Sequence, residues 1–134
     1  MSAGPDDNRP RIRLLIIDDE VDVRAFMKDM AAAYALDVSE AASVDDALSL
    51  LAAGLAVDVV LCDIAMPDGG AEKWLRVIRD AYPQLASRTI VITGWASPDA
   101  GQGIPGMRPD QCLYKPFTMA AMRSAADRLV AHSH

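Results

Sequence analysis

Val57-Asp58-Val59-Val60-Leu61-Cys62-Asp63 is apolar from Val59 to Cys62 and stops on an acid. A one-sided strand alternates apolar and polar residues, so a continuous apolar run of this length reads as a strand buried on both faces. Burial on both faces calls for helices above and below, and the flanking sequence supplies them. Upstream, Arg13-Leu14-Leu15-Ile16-Ile17-Asp18 is a second β-rich run ending in acid, followed by Val23, Phe26, Met27, Met30 and Tyr34 at helical spacing. Asp37 to Ala41 is a short strand. Ser43 stands where a cap belongs, before an apolar face of Val44, Ala47, Leu48 and Leu51 that Gly54 ends. Downstream, Ala71, Trp74, Leu75, Ile78 and Tyr82 form another helical face, and Ile90-Val91-Ile92-Thr93 is a fourth strand. Cys112-Leu113-Tyr114 is a fifth, and Thr118 caps a last helix with Met119, Met122, Ala126, Leu129 and Val130 inward.

Strands alternating with helices predict an α/β fold built from βαβ units on a parallel sheet. Five strands suit a doubly wound sheet of the flavodoxin-like type, order 2-1-3-4-5, with right-handed crossovers placing helices on both faces. We expect one domain over 12–131, a flexible tail over 1–11 carrying Pro5 and Pro10, and a short C-terminal tail over 132–134. One segment breaks the rhythm. The fourth helix belongs between Thr93 and Cys112, where Ser97-Pro98-Asp99 is a fair start, but Gly101, Gly103 and Pro105 oppose its continuation. That helix is expected to be short or irregular.

The 134 residues include 13 basic and 19 acidic side chains, a net charge of −6. This balance argues against sequence-independent nucleic-acid binding and against an electrostatic membrane anchor. No apolar stretch is long enough to span a bilayer, and the polar start lacks a secretory signal. Two cysteines, Cys62 and Cys112, make no disulfide framework and are expected to be small core residues. A cytoplasmic location follows as an expectation.

In a doubly wound sheet the site lies beyond the carboxyl ends of the strands. Those ends carry Asp18-Asp19-Glu20, Asp63, Thr93 and Lys115-Pro116. Clustered carboxylates repel, and a hard divalent cation such as Mg²⁺ relieves them with oxygen ligands. Lys115 and the metal could neutralise phosphoryl oxygens, Thr93 could donate a hydrogen bond, and a carboxylate could be the nucleophile.

These motifs, Asp18-Asp19, Asp63-Ile64-Ala65-Met66-Pro67, Thr93-Gly94 and Lys115-Pro116-Phe117, occur in order and each at a strand end. The chain thereby resembles the receiver domain of bacterial response regulators, as do the separations Asp19–Asp63, Asp63–Thr93 and Asp63–Lys115. The resemblance covers about residues 12–131. It implies that Asp63 accepts the phosphoryl group, that Asp19 binds Mg²⁺ directly and Asp18 through water, and that the Ala65 carbonyl is a further ligand. It implies that Thr93 moves toward the phosphoryl group, that Lys115 contacts it, and that the Lys115-Pro116 peptide is cis. The implied donor is a phosphohistidine on a histidine kinase or histidine phosphotransfer protein. Output is then by a downstream protein target or a phosphorelay, in a stand-alone switch that is not an enzyme beyond accepting and slowly losing its phosphoryl group.

The sequence departs from the family at several positions. Cys112 stands where family members often carry a swinging aromatic ring, with Tyr114 two residues on. Ala71 replaces an expected glycine, just after Gly69-Gly70. The irregular fourth helix suggests an output surface that orders on phosphorylation. Ala65 and Trp95 flank the position of the attacking water and offer it no acid or amide, so a long-lived phosphoryl group is expected. Other readings are a receiver cut from a hybrid histidine kinase, a phosphorylation-independent interaction module, and an aspartate-nucleophile phosphatase. The last wants a second Asp two residues after the nucleophile, where this chain has Ala65.

Overall fold

A computed structural model of the protein describes residues 10–93 and 108–132. Five parallel strands, β1 (Ile12–Ile17), β2 (Leu36–Ala41), β3 (Val59–Asp63), β4 (Thr89–Thr93) and β5 (Cys112–Tyr114), form one sheet in the order β2-β1-β3-β4-β5. The helices are α1 (Val21–Met30), α2 (Val44–Ala52), α3 (Gly70–Ala81), a single-turn α4 (Pro83–Ser87) and α5 (Met119–His132). Short 3₁₀ turns lie at Ala31–Tyr34 and Pro109–Gln111. The fold is the doubly wound α/β architecture that the alternation predicts. The helix expected between Thr93 and Cys112 falls on 94–107, outside the described residues, as does Trp95.

Side-chain alternation explains why β3 and β4 are buried along their whole length and β1 at all but Arg13. Leu15, Ile17, Val60, Cys62 and Val91 point to one face and pack against α2, α3 and α4 through Val44, Ala47, Trp74, Leu75, Ile78 and Leu85. Leu14, Ile16, Val59, Leu61, Ile90 and Ile92 point to the other and meet α1 and α5 through Met27, Met119, Met122, Ala126 and Leu129. Each face buries its own apolar cluster, so the hydrophobic effect acts twice across one sheet.

The predicted caps are in place. Ser43 Oγ accepts from the Asp46 N–H at 3.0 Å, and Thr118 Oγ1 from the Ala121 N–H at 2.9 Å. Gly54 ends α2 with φ +103°. Two aromatic assignments are corrected. Tyr82, expected inward on α3, is 37% exposed because Pro83 forces the preceding residue out of the helical region; Tyr82 has φ −143°, and α4 starts on the proline. Phe26 is 55% exposed, because the buried stripe of α1 runs through Met27 and leaves its neighbour facing outward. Cys62 is fully buried as expected, whereas Cys112, on edge strand β5, is only partly buried.

Arg123 is a structural residue with no obvious mark in the sequence. It is 2% exposed within α5. Its guanidinium donates to the Tyr34 and Ala35 carbonyls at 2.7 and 2.9 Å, to the Pro10 carbonyl at 3.0 Å and to Asp127 at 2.9 Å. Ala35, with φ +54°, is the turn into β2 that this clamp secures. Arg123→Met removes hydrogen bonds to three carbonyls and to Asp127 at once and is expected to cost about 3 kcal/mol in urea unfolding. Arg123→Lys should recover little of it, since an ammonium does not reproduce the fork.

Candidate functional site

Parallel pairing aligns the carboxyl ends of the strands. The Asp18 N–H donates to Ala41 O at 3.1 Å, Ile64 N–H to Ile92 O at 2.9 Å and Lys115 N–H to Thr93 O at 2.9 Å, so each ladder runs on into the residue after its strand. The predicted residues therefore gather at one edge. Asp63 closes β3, the central strand, and is 5% exposed. One of its oxygens accepts from the Ala65 N–H at 2.9 Å, and the other faces Lys115 Nζ at 3.3 Å. Thr93, at the end of neighbouring β4, is 3% exposed. The Lys115-Pro116 peptide is cis.

Asp18, Asp19 and Glu20 form an acidic group whose ligand oxygens lie within 4.8 Å of one another. Asp18 is 1% exposed. Its Oδ1 accepts from the Glu20 N–H at 2.9 Å, while its Oδ2 is buried with no hydrogen-bond partner among the described residues. A buried carboxylate oxygen without a donor is costly, and a cation is the natural partner for it. This orphaned oxygen, with exposed Asp19 and Glu20 beside it, fits a hard cation coordinated partly by water. Glu20, not assigned as a ligand from sequence, belongs to the same cluster.

Burial pushes the Asp18 carboxyl up, and the charges of Asp63 and Glu20 push it the same way, against the Glu20 N–H bond and Lys115. Burial alone would lower the Lys115 ammonium. Asp63, with its hydrogen bond, Asp18 and Glu20 outweigh that and hold it above its usual value. Lys115 thus stays cationic.

Several supporting residues escaped the reading of the sequence. Asp68 Oδ2 accepts from the Val44 N–H at 2.7 Å, tying the loop after Asp63 to the start of α2. The glycine that this loop requires is Gly70 and not position 71. At φ +56°, a Cβ on Gly70 would lie 2.5 Å from the Ile64 carbonyl and 2.8 Å from that of Asp63. The Gly69-Gly70 pair was the available signal. Arg24 and Glu40 brace the acidic turn. A recess of about 630 Å³ opens beside Lys115, lined by Val23, Phe26, Met27, Pro116 and Phe117.

Solved structures share this architecture. A response regulator receiver domain protein from Clostridium thermocellum superposes with a TM-score of 0.79 at 24% identity, covering 90% of this chain and 95% of that one. A response regulator receiver protein from Sinorhizobium medicae gives 0.72 at 26% identity, covering 92% and 98%. The family model for the response regulator receiver domain matches residues 14–127, and the chain belongs to that family. Among curated proteins, it is 33% identical over 113 residues to the response regulator protein PilR of Pseudomonas aeruginosa. It is 26% identical over 118 residues to the sensor kinase CckA of Brucella abortus. The matches cover 84% and 87% of this chain but only 25% and 12% of those longer proteins.

The raised carboxyl of Asp18 makes a pH-dependent prediction. Its favourable contribution to the metal-free fold is present at low pH, where it is protonated, and is lost as pH rises through its elevated pKa. At neutral pH the ionised group is a liability, so Asp18→Asn should raise the urea midpoint in EDTA. The gain should shrink as pH falls toward the carboxylate range, where wild-type Asp18 is itself neutral.

Proposed function

We propose that the chain is a phosphorylatable signalling switch in which Asp63 accepts a phosphoryl group from a phosphohistidine of a histidine kinase or histidine phosphotransfer protein. One observation carries the reading: a nearly buried Asp63 holds Lys115 at 3.3 Å beside a carboxylate cluster whose buried Asp18 oxygen lacks a donor among the described residues. Asp18, Asp19, Asp63 and the Ala65 carbonyl would hold Mg²⁺. When bound, the ion supplies positive charge to the phosphoryl oxygens.

The residues of the chain do the rest. The Ala65 N–H pins one Asp63 oxygen and so orients the carboxylate for in-line attack. As the Asp63 O–P bond forms, the P–N bond to the donor imidazole breaks and its electron pair returns to the ring nitrogen. Lys115 neutralises charge on the transferred group, and the Thr93 hydroxyl donates to one of its oxygens. Ala65 offers only a methyl to an incoming water, so hydrolysis lacks a base from that side. The chain turns over no small substrate of its own. Exposed Phe26, beside Pro116 and Phe117 in the recess next to Lys115, gives the phosphodonor protein an apolar foothold close to the acceptor. Output is by protein–protein contact or onward relay in the cytoplasm. A receiver belonging to a hybrid kinase is the second reading, favoured by the likeness to the sensor kinase CckA, with the same chemistry at Asp63.

Incubation with acetyl phosphate and Mg²⁺ should give one shifted band on a phosphate-affinity gel, absent in Asp63→Asn and in EDTA. After the donor is removed, the band should persist for hours; decay within seconds contradicts the role given to Ala65. Phe26→Ala should slow transfer from a cognate phosphohistidine protein by about tenfold, the size of a modest hot spot, and leave labelling by acetyl phosphate unchanged.

A further inference from the structure

We propose that Arg24, held in place by Glu40, is a positioning residue for the acidic turn and sets its affinity for a divalent cation. The inference rests on the reading of Asp18 and Asp19 as the magnesium-holding pair. Arg24 lies in the first half of α1, with its side chain only 14% exposed. Its Nη1 donates to the Asp18 carbonyl at 2.6 Å, and its Nε donates to Glu40 Oε1 on β2 at 2.8 Å. Lys28, one turn further along α1, donates to the other Glu40 oxygen at 2.7 Å.

The Asp18 peptide is gripped from both sides. Its N–H is spent on Ala41 O at the end of β2, and its C=O on Arg24. Asp18 Oδ1 is spent on the Glu20 N–H. With both main-chain groups and one carboxylate oxygen fixed, the direction of the remaining Oδ2 is fixed by the backbone. Arg24 completes that grip through the Asp18 carbonyl, with its other nitrogen spent on Glu40.

Glu40 determines that the guanidinium stays there. Asp19 and Glu20 are exposed acids within a turn of Arg24. An arginine without its Glu40 partner would pair with them and compete with the cation for the same oxygens. Two effects of opposite origin therefore converge: losing Arg24 loosens the turn, and losing Glu40 frees a competitor. The second acts chiefly through Arg24, because Lys28, the other partner of Glu40, stands a further turn along α1 from the acids.

The test uses the full chain, MgCl₂ titration by calorimetry, and thermal unfolding in EDTA as a separate measure of folding. Arg24→Ala should weaken Mg²⁺ binding about tenfold, the size expected for partners behind a metal ligand. Arg24→Lys should not rescue it, because one ammonium cannot bridge Glu40 and the Asp18 carbonyl. Glu40→Gln should weaken binding severalfold, and the double variant should be no worse than Arg24→Ala alone, a non-additivity that independent structural damage does not produce. In acetyl phosphate labelling, the half-saturating Mg²⁺ should rise by the same factors while the rate at saturating Mg²⁺ stays near wild type. Should Arg24→Ala fail to fold, Glu40→Gln decides alone. Wild-type affinity in the folded variants, within twofold, overturns the inference and leaves the switch reading standing; a wild-type chain that binds no Mg²⁺ overturns both.

Discussion

A carboxylate buried at the end of a central, doubly covered strand needs a partner for its oxygens, and here Lys115 comes to Asp63 at 3.3 Å. That contact depends on the order of the sheet. β3 and β5 flank β4, and the register Asp63–Ile92 and Thr93–Tyr114 brings the last residues of all three strands to one edge. Lys115 is the next residue, with its own N–H already engaged by Thr93 O. An antiparallel β5 would carry the lysine to the other end of the molecule. Parallel strands joined by crossovers are thus the condition for pairing a buried acid with a distant ammonium.

The two buried acids are treated differently. Among the described residues, Asp63 has a donor for each oxygen, whereas Asp18 has a donor for only one. The first is satisfied by the chain and the second is left unsatisfied by it. An unsatisfied oxygen that burial drives toward protonation weakens the metal-free protein, and the same oxygen is what a cation would reward. Such residues persist where the surrounding structure overdetermines them. Here the Ala41 carbonyl, the Glu20 N–H and Arg24 provide that constraint.

The strands, their buried-through character and the acids at their ends were legible in the sequence because each is written locally. An apolar run ending in Asp, a Ser before an apolar helical face and a Thr before Met119 carry their meaning within a few residues. What was not legible depends on distance. Arg24 meets Glu40 across 16 residues, and Arg123 meets Pro10 across 113, with ordinary helix positions at the arginine end. Phe26 and Tyr82 fit the helical period and still face outward, one because a neighbour fills the stripe and one because a proline follows. The glycine expected at position 71 is absent, and the close approach to the Asp63 and Ile64 carbonyls falls on Gly70, a contact that only the folded backbone reveals.

The supports fall at opposite ends of the sheet and serve different purposes. At the amino end, Arg13 and Asp58 join β1 to the start of β3 by two side-chain contacts of 3.0 and 2.9 Å, and Arg123 secures the turn into β2. These are closed arrangements, each guanidinium matched to carboxylate or carbonyl oxygens. At the carboxyl end the matching stops short: Asp18 keeps an oxygen unanswered, and Phe26 stands exposed beside Lys115. Completing either within the chain would stabilise the fold and close the site, since a donor on Asp18 would displace a cation and a buried Phe26 would remove the apolar wall of the recess. The incompleteness at one edge is tolerable because the other edge is braced and both faces of the sheet are packed, and it leaves the acidic turn open to an ion and the recess open to a partner.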